Sequence, residues 1–167
     1  MIRSILFVCT GNTCRSPMAQ GMFKKILQEK EKNYYRYNIQ SAGISAIPGM
    51  KPTDEAIKVM LEYGIDISQY KSQPLEEDLV KEADLILVMA SEHQEYIQIR
   101  YPFAQNKVFL VKEFSQRKYL NKVQKKDKKY DIVDPIGKPI DFYRIIANDL
   151  KVNLEKIADI IIKKNNN

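Results

Sequence analysis

Cys9 and Arg15 are separated by five residues, Thr10-Gly11-Asn12-Thr13-Cys14, and are followed at once by Ser16-Pro17. A thiolate is a strong nucleophile, and a guanidinium presents a planar fork that matches two oxygens of a phosphate. Gly11 and Asn12 are residue types that tolerate left-handed backbone angles, so the loop from Cys9 to Arg15 can curl with its N–H groups pointing inward as an anion nest. Thr10, Gly11, Asn12, Thr13, Cys14 and Ser16 are therefore candidate phosphate-binding residues, with Cys9 beneath the phosphorus. The positive field of such a loop is expected to lower the Cys9 pKa below the ordinary thiol value of roughly 8.5. The Ser16 hydroxyl is placed to hydrogen-bond the Cys9 sulfur and ease its later departure. Attack on phosphorus also requires an acid on the far side to protonate the leaving group. Asp134, in the turn Asp134-Pro135-Ile136-Gly137, is the candidate; Asp131 and Asp141 are the disfavoured substitutes.

These residues must be held by regular elements. Residues 2–8 form a short apolar run that reads as a buried strand, and Ser16-Pro17 carries the signature of a helix start, with Ser as cap and Pro in the first turn. Met18, Met22 and Ile26, with Ala19, Phe23 and Leu27, give that helix an apolar stripe. The loop thus faces a helix N-terminus, where backbone amides converge on an anion. Downstream, strands are predicted at 35–40, 84–89 and 108–111. Helices are predicted from Thr53 to a stop at Gly64, over 74–82, from a Ser91 cap to before Pro102, and over 142–162. In the last, Ile145, Ile146, Leu150, Leu154, Ile157 and Ile160 are expected to face inward. Alternating strands and helices predict an α/β, three-layer, doubly wound fold with a central parallel sheet of four strands and its site at the strands' carboxyl ends.

The string from Cys9 to Ala19 resembles the phosphate loop of the low-molecular-weight protein tyrosine phosphatases, and in particular their bacterial protein arginine phosphatase branch. Ser41-Ala42-Gly43, Gly64-Ile65-Asp66, Ala83-Asp84-Leu85-Ile86-Leu87 and Asp134-Pro135 match further landmarks of that family. The resemblance implies strand order 2-1-3-4, one phosphatase domain over 1–167, Asp134 as general acid, and Ser41 as a hydroxyl that braces Asn12. It also implies a reversible disulfide between Cys9 and Cys14, which would trap a sulfenic acid before irreversible oxidation. Tyr70 stands where the family often has a histidine, a departure that bears on how the loop is braced. The only histidine, His93, is read as a surface residue without a catalytic part. Thr13 matches the arginine phosphatases, whereas tyrosine phosphatases of the family carry a bulkier aliphatic residue there. Ile47 and Ile136 fall where eukaryotic members place aromatic walls, so stacking on a phosphotyrosine ring would be weak. Phosphoarginine is favoured, with phosphotyrosine as the alternative.

Composition bounds the remaining readings. The 167 residues suffice for a single core, and two cysteines in one loop do not make a disulfide framework. With no signal-like or membrane-length apolar segment, a cytoplasmic, monomeric enzyme acting on phosphorylated proteins is expected, with no cofactor, metal or membrane. Of the net charge of +6, the stretch 115–131 supplies +5, seven Lys or Arg against two Asp. That stretch reads as a basic loop insertion that steers anionic substrates; a non-catalytic nucleic-acid-binding module is the remote alternative. An arsenate reductase needs further mid-chain cysteines, and none follows Cys14. A nucleotide-binding loop needs Gly-Lys-Ser or Gly-Lys-Thr before its helix, where this chain has Cys-Arg-Ser.

Overall fold

The computed structural model describes residues 1–116 and 128–167. Most of the basic stretch, residues 117–127, lies outside the described residues. The strands are β1 (Ser4–Cys9), β2 (Asn38–Gly43), β3 (Leu85–Val88) and β4 (Val108–Leu110). They pair in parallel in the order β2-β1-β3-β4. The helices are α1 (Arg15–Lys30), α2 (Asp54–Glu62), α3 (Glu77–Glu82), α4 (Ser91–Arg100), α5 (Val111–Ser115) and α6 (Ile140–Asn166).

Two apolar layers flank the sheet because alternate residues of β1 point to opposite faces. Ile5, Phe7 and Cys9 join the core beneath α1, α2, α5 and α6. Leu6 and Val8 join the second core, with Val80 of α3 and Ile97 of α4. Both cores are almost wholly shielded from solvent, as expected for central parallel strands that read as continuous apolar runs. The first strand is pinned at its start: the Asp84 carboxylate accepts the amides of Arg3 and Ser4 at 2.8 Å, and the Asn165 side chain bonds both backbone groups of Ile2.

Several expected boundaries move. Residues 34–36 form a 3₁₀ turn and the second strand starts only at Asn38, then runs on through Ser41-Ala42-Gly43. This extension places Gly43 against the loop after β1; a Cβ there would lie 2.5 Å from the Thr10 carbonyl oxygen, so only glycine fits. Pro74 bridges Gly43 outside any helix, and α3 starts at Glu77. Thr53 caps α2 as expected, accepting the Ala56 amide at 3.3 Å. Along α6 the buried stripe is Tyr143, Ile146, Ala147, Leu150, Leu154, Ile157, Ala158 and Ile161. Ile145 is 62% exposed and lies one position off the inner stripe, whereas Ile160, at its edge, is partly buried against the core.

Candidate active site

The chain leaves β1 at Cys9 and enters α1 at Arg15, so the intervening loop closes over the helix N-terminus at the carboxyl edge of the sheet. Asn12 has φ +55°, the only positive φ of a non-glycine residue among the described residues, and this left-handed turn brings its amide to 3.3 Å from Cys9 Sγ. Of the two residues that tolerate a left-handed backbone, only Asn12 adopts it; Gly11 does not. A Cβ at Gly11 would meet only Thr13 Oγ1, at an ordinary 3.5 Å.

A left-handed asparagine has to be held in place. Its Nδ2 donates to Ser16 Oγ at 2.8 Å and to Ser41 Oγ at 2.9 Å, and its Oδ1 accepts the Gln73 amide at 2.9 Å. The Gln73 side chain in turn donates to the Ser41 carbonyl. This network supplies the bracing that the Tyr70 departure put in question. Tyr70 itself turns away, with Lys24 over its ring. Gln73 escaped the sequence reading because its backbone amide does the bracing, and an amide leaves no trace in residue type. Farther along the loop, the Thr13 carbonyl accepts the Thr53 amide at 3.0 Å, which ties the loop to the start of α2.

Ser16 departs from its expected role as helix cap. The helix starts two residues earlier than that cap implies, after Cys14, and no side chain caps it. Fully buried, the Ser16 hydroxyl is instead shared between Asn12 and Cys9, with Oγ 2.9 Å from Sγ.

Arg15 is 3% exposed, yet both ends of its fork are partnered. Nη1 donates to the Ile132 carbonyl at 2.9 Å and Nη2 lies 3.3 Å from Asp134 Oδ2. Asp134 is partly exposed, and its Oδ1 accepts the Ile136 amide in an Asx turn. The two other carboxylates are engaged elsewhere: Asp131 accepts the Ser91 amide at 2.8 Å at the start of α4, and exposed Asp141 pairs with Arg144. The structure therefore joins Cys9, Asn12, Ser16 and Ser41 in one hydrogen-bonded network, and pairs Arg15, the residue just before Ser16 in the chain, with Asp134.

Burial pushes the Cys9 thiol up from its ordinary value. The Ser16 hydroxyl, the Arg15 charge and the amides of Ser16 and Asn12 all pull it down. The net direction is up, opposite to the lowering expected from the loop alone, because the sequence pattern reveals the amides but not how completely the sulfur is covered.

Cys14 is a free, buried thiol beside Tyr143 Oη at 3.5 Å and Thr53 Oγ1 at 3.6 Å, and Cys9 is free as well. Ile47 and Ile136 are 67% and 58% exposed. Ile47 belongs to the loop after β2, whose Ser45 amide bonds the Thr10 carbonyl, and Ile136 belongs to the Asp134 turn.

His93 contradicts its surface assignment. It is fully buried in the first turn of α4, where Nδ1 accepts the Ala90 amide at 3.0 Å and Nε2 lies 2.8 Å from Thr10 Oγ1. This arrangement also corrects the expected Ser91 cap: Ser91 is the first helical residue, and the capping acceptor is the His93 ring. Burial, and then the Arg15 charge, lower the His93 pKa to about 4, against a smaller upward pull from Asp134. The one signal that could have found it is its uniqueness as the chain's sole histidine, three residues beyond the end of a buried run.

Comparisons with known proteins show the family to which the chain belongs. The family model described as low molecular weight phosphotyrosine protein phosphatase matches residues 4–167. The protein-arginine-phosphatase of Bacillus subtilis is 36% identical over 154 residues, covering 92% of this chain and 93% of the relative. A probable low molecular weight protein-tyrosine-phosphatase, EpsP of Ralstonia nicotianae, is 39% identical over 140 residues, covering 84% and 83%. Among solved structures, a cysteine-to-serine mutant of the YwlE arginine phosphatase, with a phosphorylated active-site serine, superimposes with a TM-score of 0.82. It is 36% identical, and the match covers 96% of each chain.

Proposed function

Because the chain belongs to the low molecular weight phosphotyrosine protein phosphatase family, we propose that it is a cysteine-dependent protein phosphatase that hydrolyses phosphoarginine side chains. The observation that carries the reading is the double engagement of the loop at the head of α1. At one end Cys9 Sγ is held by Ser16 and Asn12; at the other, Arg15 lies against Asp134.

In this reading the amides of the loop and the Arg15 fork hold the three non-bridging oxygens of the phosphoryl group. The Cys9 sulfur attacks phosphorus, the sulfur–phosphorus bond forms and the phosphorus–nitrogen bond breaks. The Asp134 carboxyl gives its proton to the departing guanidine nitrogen, and the same carboxylate suits that guanidinium once it is charged. Burial raises the Cys9 thiol, so a proton held by the free thiol has to be passed on before attack. A thiol with a phosphoryl dianion and a thiolate with a monoanion have the same total proton count, so attack requires only that this proton pass to the substrate. In the second step Asp134 takes a proton from water, water attacks phosphorus, and the thiolate leaves stabilised by Ser16, releasing inorganic phosphate. Cys14 serves in this reading as the thiol that intercepts an oxidised Cys9.

The case for phosphoarginine rests on Thr13, on the arginine phosphatase relatives, and on the lack of an aromatic wall at Ile47 and Ile136. Phosphotyrosine is the second reading, favoured by the exposure of those two isoleucines, which offer apolar surface to a ring. Rates on matched phosphoarginine and phosphotyrosine peptides decide between them. Faster turnover of the phosphoarginine peptide, with the ratio falling in Thr13→Ile, is expected. Faster turnover of phosphotyrosine establishes the second reading, and an unchanged ratio in Thr13→Ile removes Thr13 from the argument.

A further inference from the structure

We propose that His93 is a positioning residue for the phosphate loop, holding Thr10 to the N-terminus of α4; the inference rests on the phosphatase reading above. The tautomer follows from the geometry. Nδ1 accepts the Ala90 amide and so bears no proton in the neutral ring; the proton sits on Nε2, which donates to Thr10 Oγ1 at 2.8 Å. Only a neutral imidazole can make both bonds, since an imidazolium has no acceptor for Ala90. Burial and the nearby Arg15 charge keep the ring neutral, while the exposed Glu92 carboxylate, 3.6 Å from Nε2, and Asp134 act weakly in the other direction.

The position of the contact gives it its consequence. Thr10 is the residue after the nucleophile, and its carbonyl is already fixed by the Ser45 amide, so His93 immobilises its side-chain hydroxyl as well. The same helix start also holds the segment leading to Asp134. The Ser91 amide donates to Asp131, the Ile132 amide donates to the Met89 carbonyl at 2.7 Å, and the Ile132 carbonyl receives Arg15. One helix terminus thus locates the loop of the nucleophile and the approach to the acid, and His93 is its link to the former.

Two substitutions separate the two ring nitrogens. His93→Asn keeps an acceptor near the Nδ1 position for Ala90 but is too short to reach Thr10, whereas the Gln of His93→Gln carries an N–H at about the Nε2 position. In His93→Asn the expected result is a urea midpoint close to wild type, kcat on para-nitrophenyl phosphate down about tenfold, and phosphate inhibition weakened to a similar degree. His93→Gln should restore most of the turnover and of the phosphate inhibition while lowering the urea midpoint. In a Thr10→Val background, His93→Asn should cost nothing further, because the bond it removes is already gone. Wild-type turnover and phosphate inhibition in His93→Asn, or an equal loss with and without the Thr10 hydroxyl, would overturn the proposal. Nitrogen-15 NMR of the wild-type imidazole checks it without any variant: an Nε2–H tautomer is required, and an Nδ1–H tautomer refutes it. If the wild type fails to hydrolyse para-nitrophenyl phosphate or phosphopeptides, the phosphatase reading falls, while the NMR result still decides the His93–Thr10 contact.

Discussion

At the scale of single residues, the chemistry turns on how one buried sulfur is balanced. Burial raises the Cys9 thiol and Ser16, Arg15 and Asn12 oppose that rise, so removing one of the opposing groups must raise it further. Ser16→Ala should therefore shift the pH midpoint of iodoacetate inactivation upward and slow turnover by roughly a hundredfold, since the leaving thiolate loses its hydroxyl partner. An unchanged midpoint would mean that Ser16 serves only to brace Asn12. Asp134→Ala should slow phosphoarginine peptides by about a hundredfold or more but para-nitrophenyl phosphate much less, because nitrophenolate departs with little need of a proton. Equal slowing of both would assign the acid elsewhere. Cys9, Arg15 and Asp134 were legible in the sequence because their types and spacing are themselves the signal. The direction of the Cys9 shift was not, because burial comes from the packing of distant segments.

At the scale of elements, the N-terminus of α4 carries a titratable cap whose effect on stability has a definite sign. The His93 pKa is depressed to about 4 in the fold, against roughly 6.5 in an unfolded chain. Between these values the unfolded chain binds more protons, so stability is full above about pH 6.5 and is lost progressively as the pH falls toward 4. The loss amounts to about 3 kcal/mol at most. Urea unfolding across this window should show that slope in the wild type and a shallower one in His93→Gln; identical slopes would show that the acid sensitivity arises from other groups. The α4 helix itself was legible in the sequence, but its cap was misassigned to Ser91, since a serine at a helix start is the commoner signal and a histidine two positions on carries none. The same limit explains β2. Its Ser-Ala-Gly end looks like a turn by residue type, yet it continues as strand because it pairs with Phe7, Val8 and Cys9 of β1.

At the scale of the whole molecule, the parallel order β2-β1-β3-β4 puts β1 near the middle of the sheet and delivers Cys9 to its carboxyl edge. This much was legible, because buried parallel strands write themselves as unbroken apolar runs and the helices between them as periodic ones. The inner side of α6 was legible too, at Ile146, Leu150, Leu154 and Ile157, and only Ile145 was misplaced, one position off that stripe. The central claim is that all of this architecture serves a covalent phosphocysteine, and rapid acid quenching during turnover of a phosphoarginine peptide, followed by peptide mass spectrometry, tests it directly. One phosphoryl group is expected on the peptide containing Cys9, with loss of turnover in Cys9→Ser. A phosphoryl group on any other residue, or turnover that persists in Cys9→Ser, would contradict it.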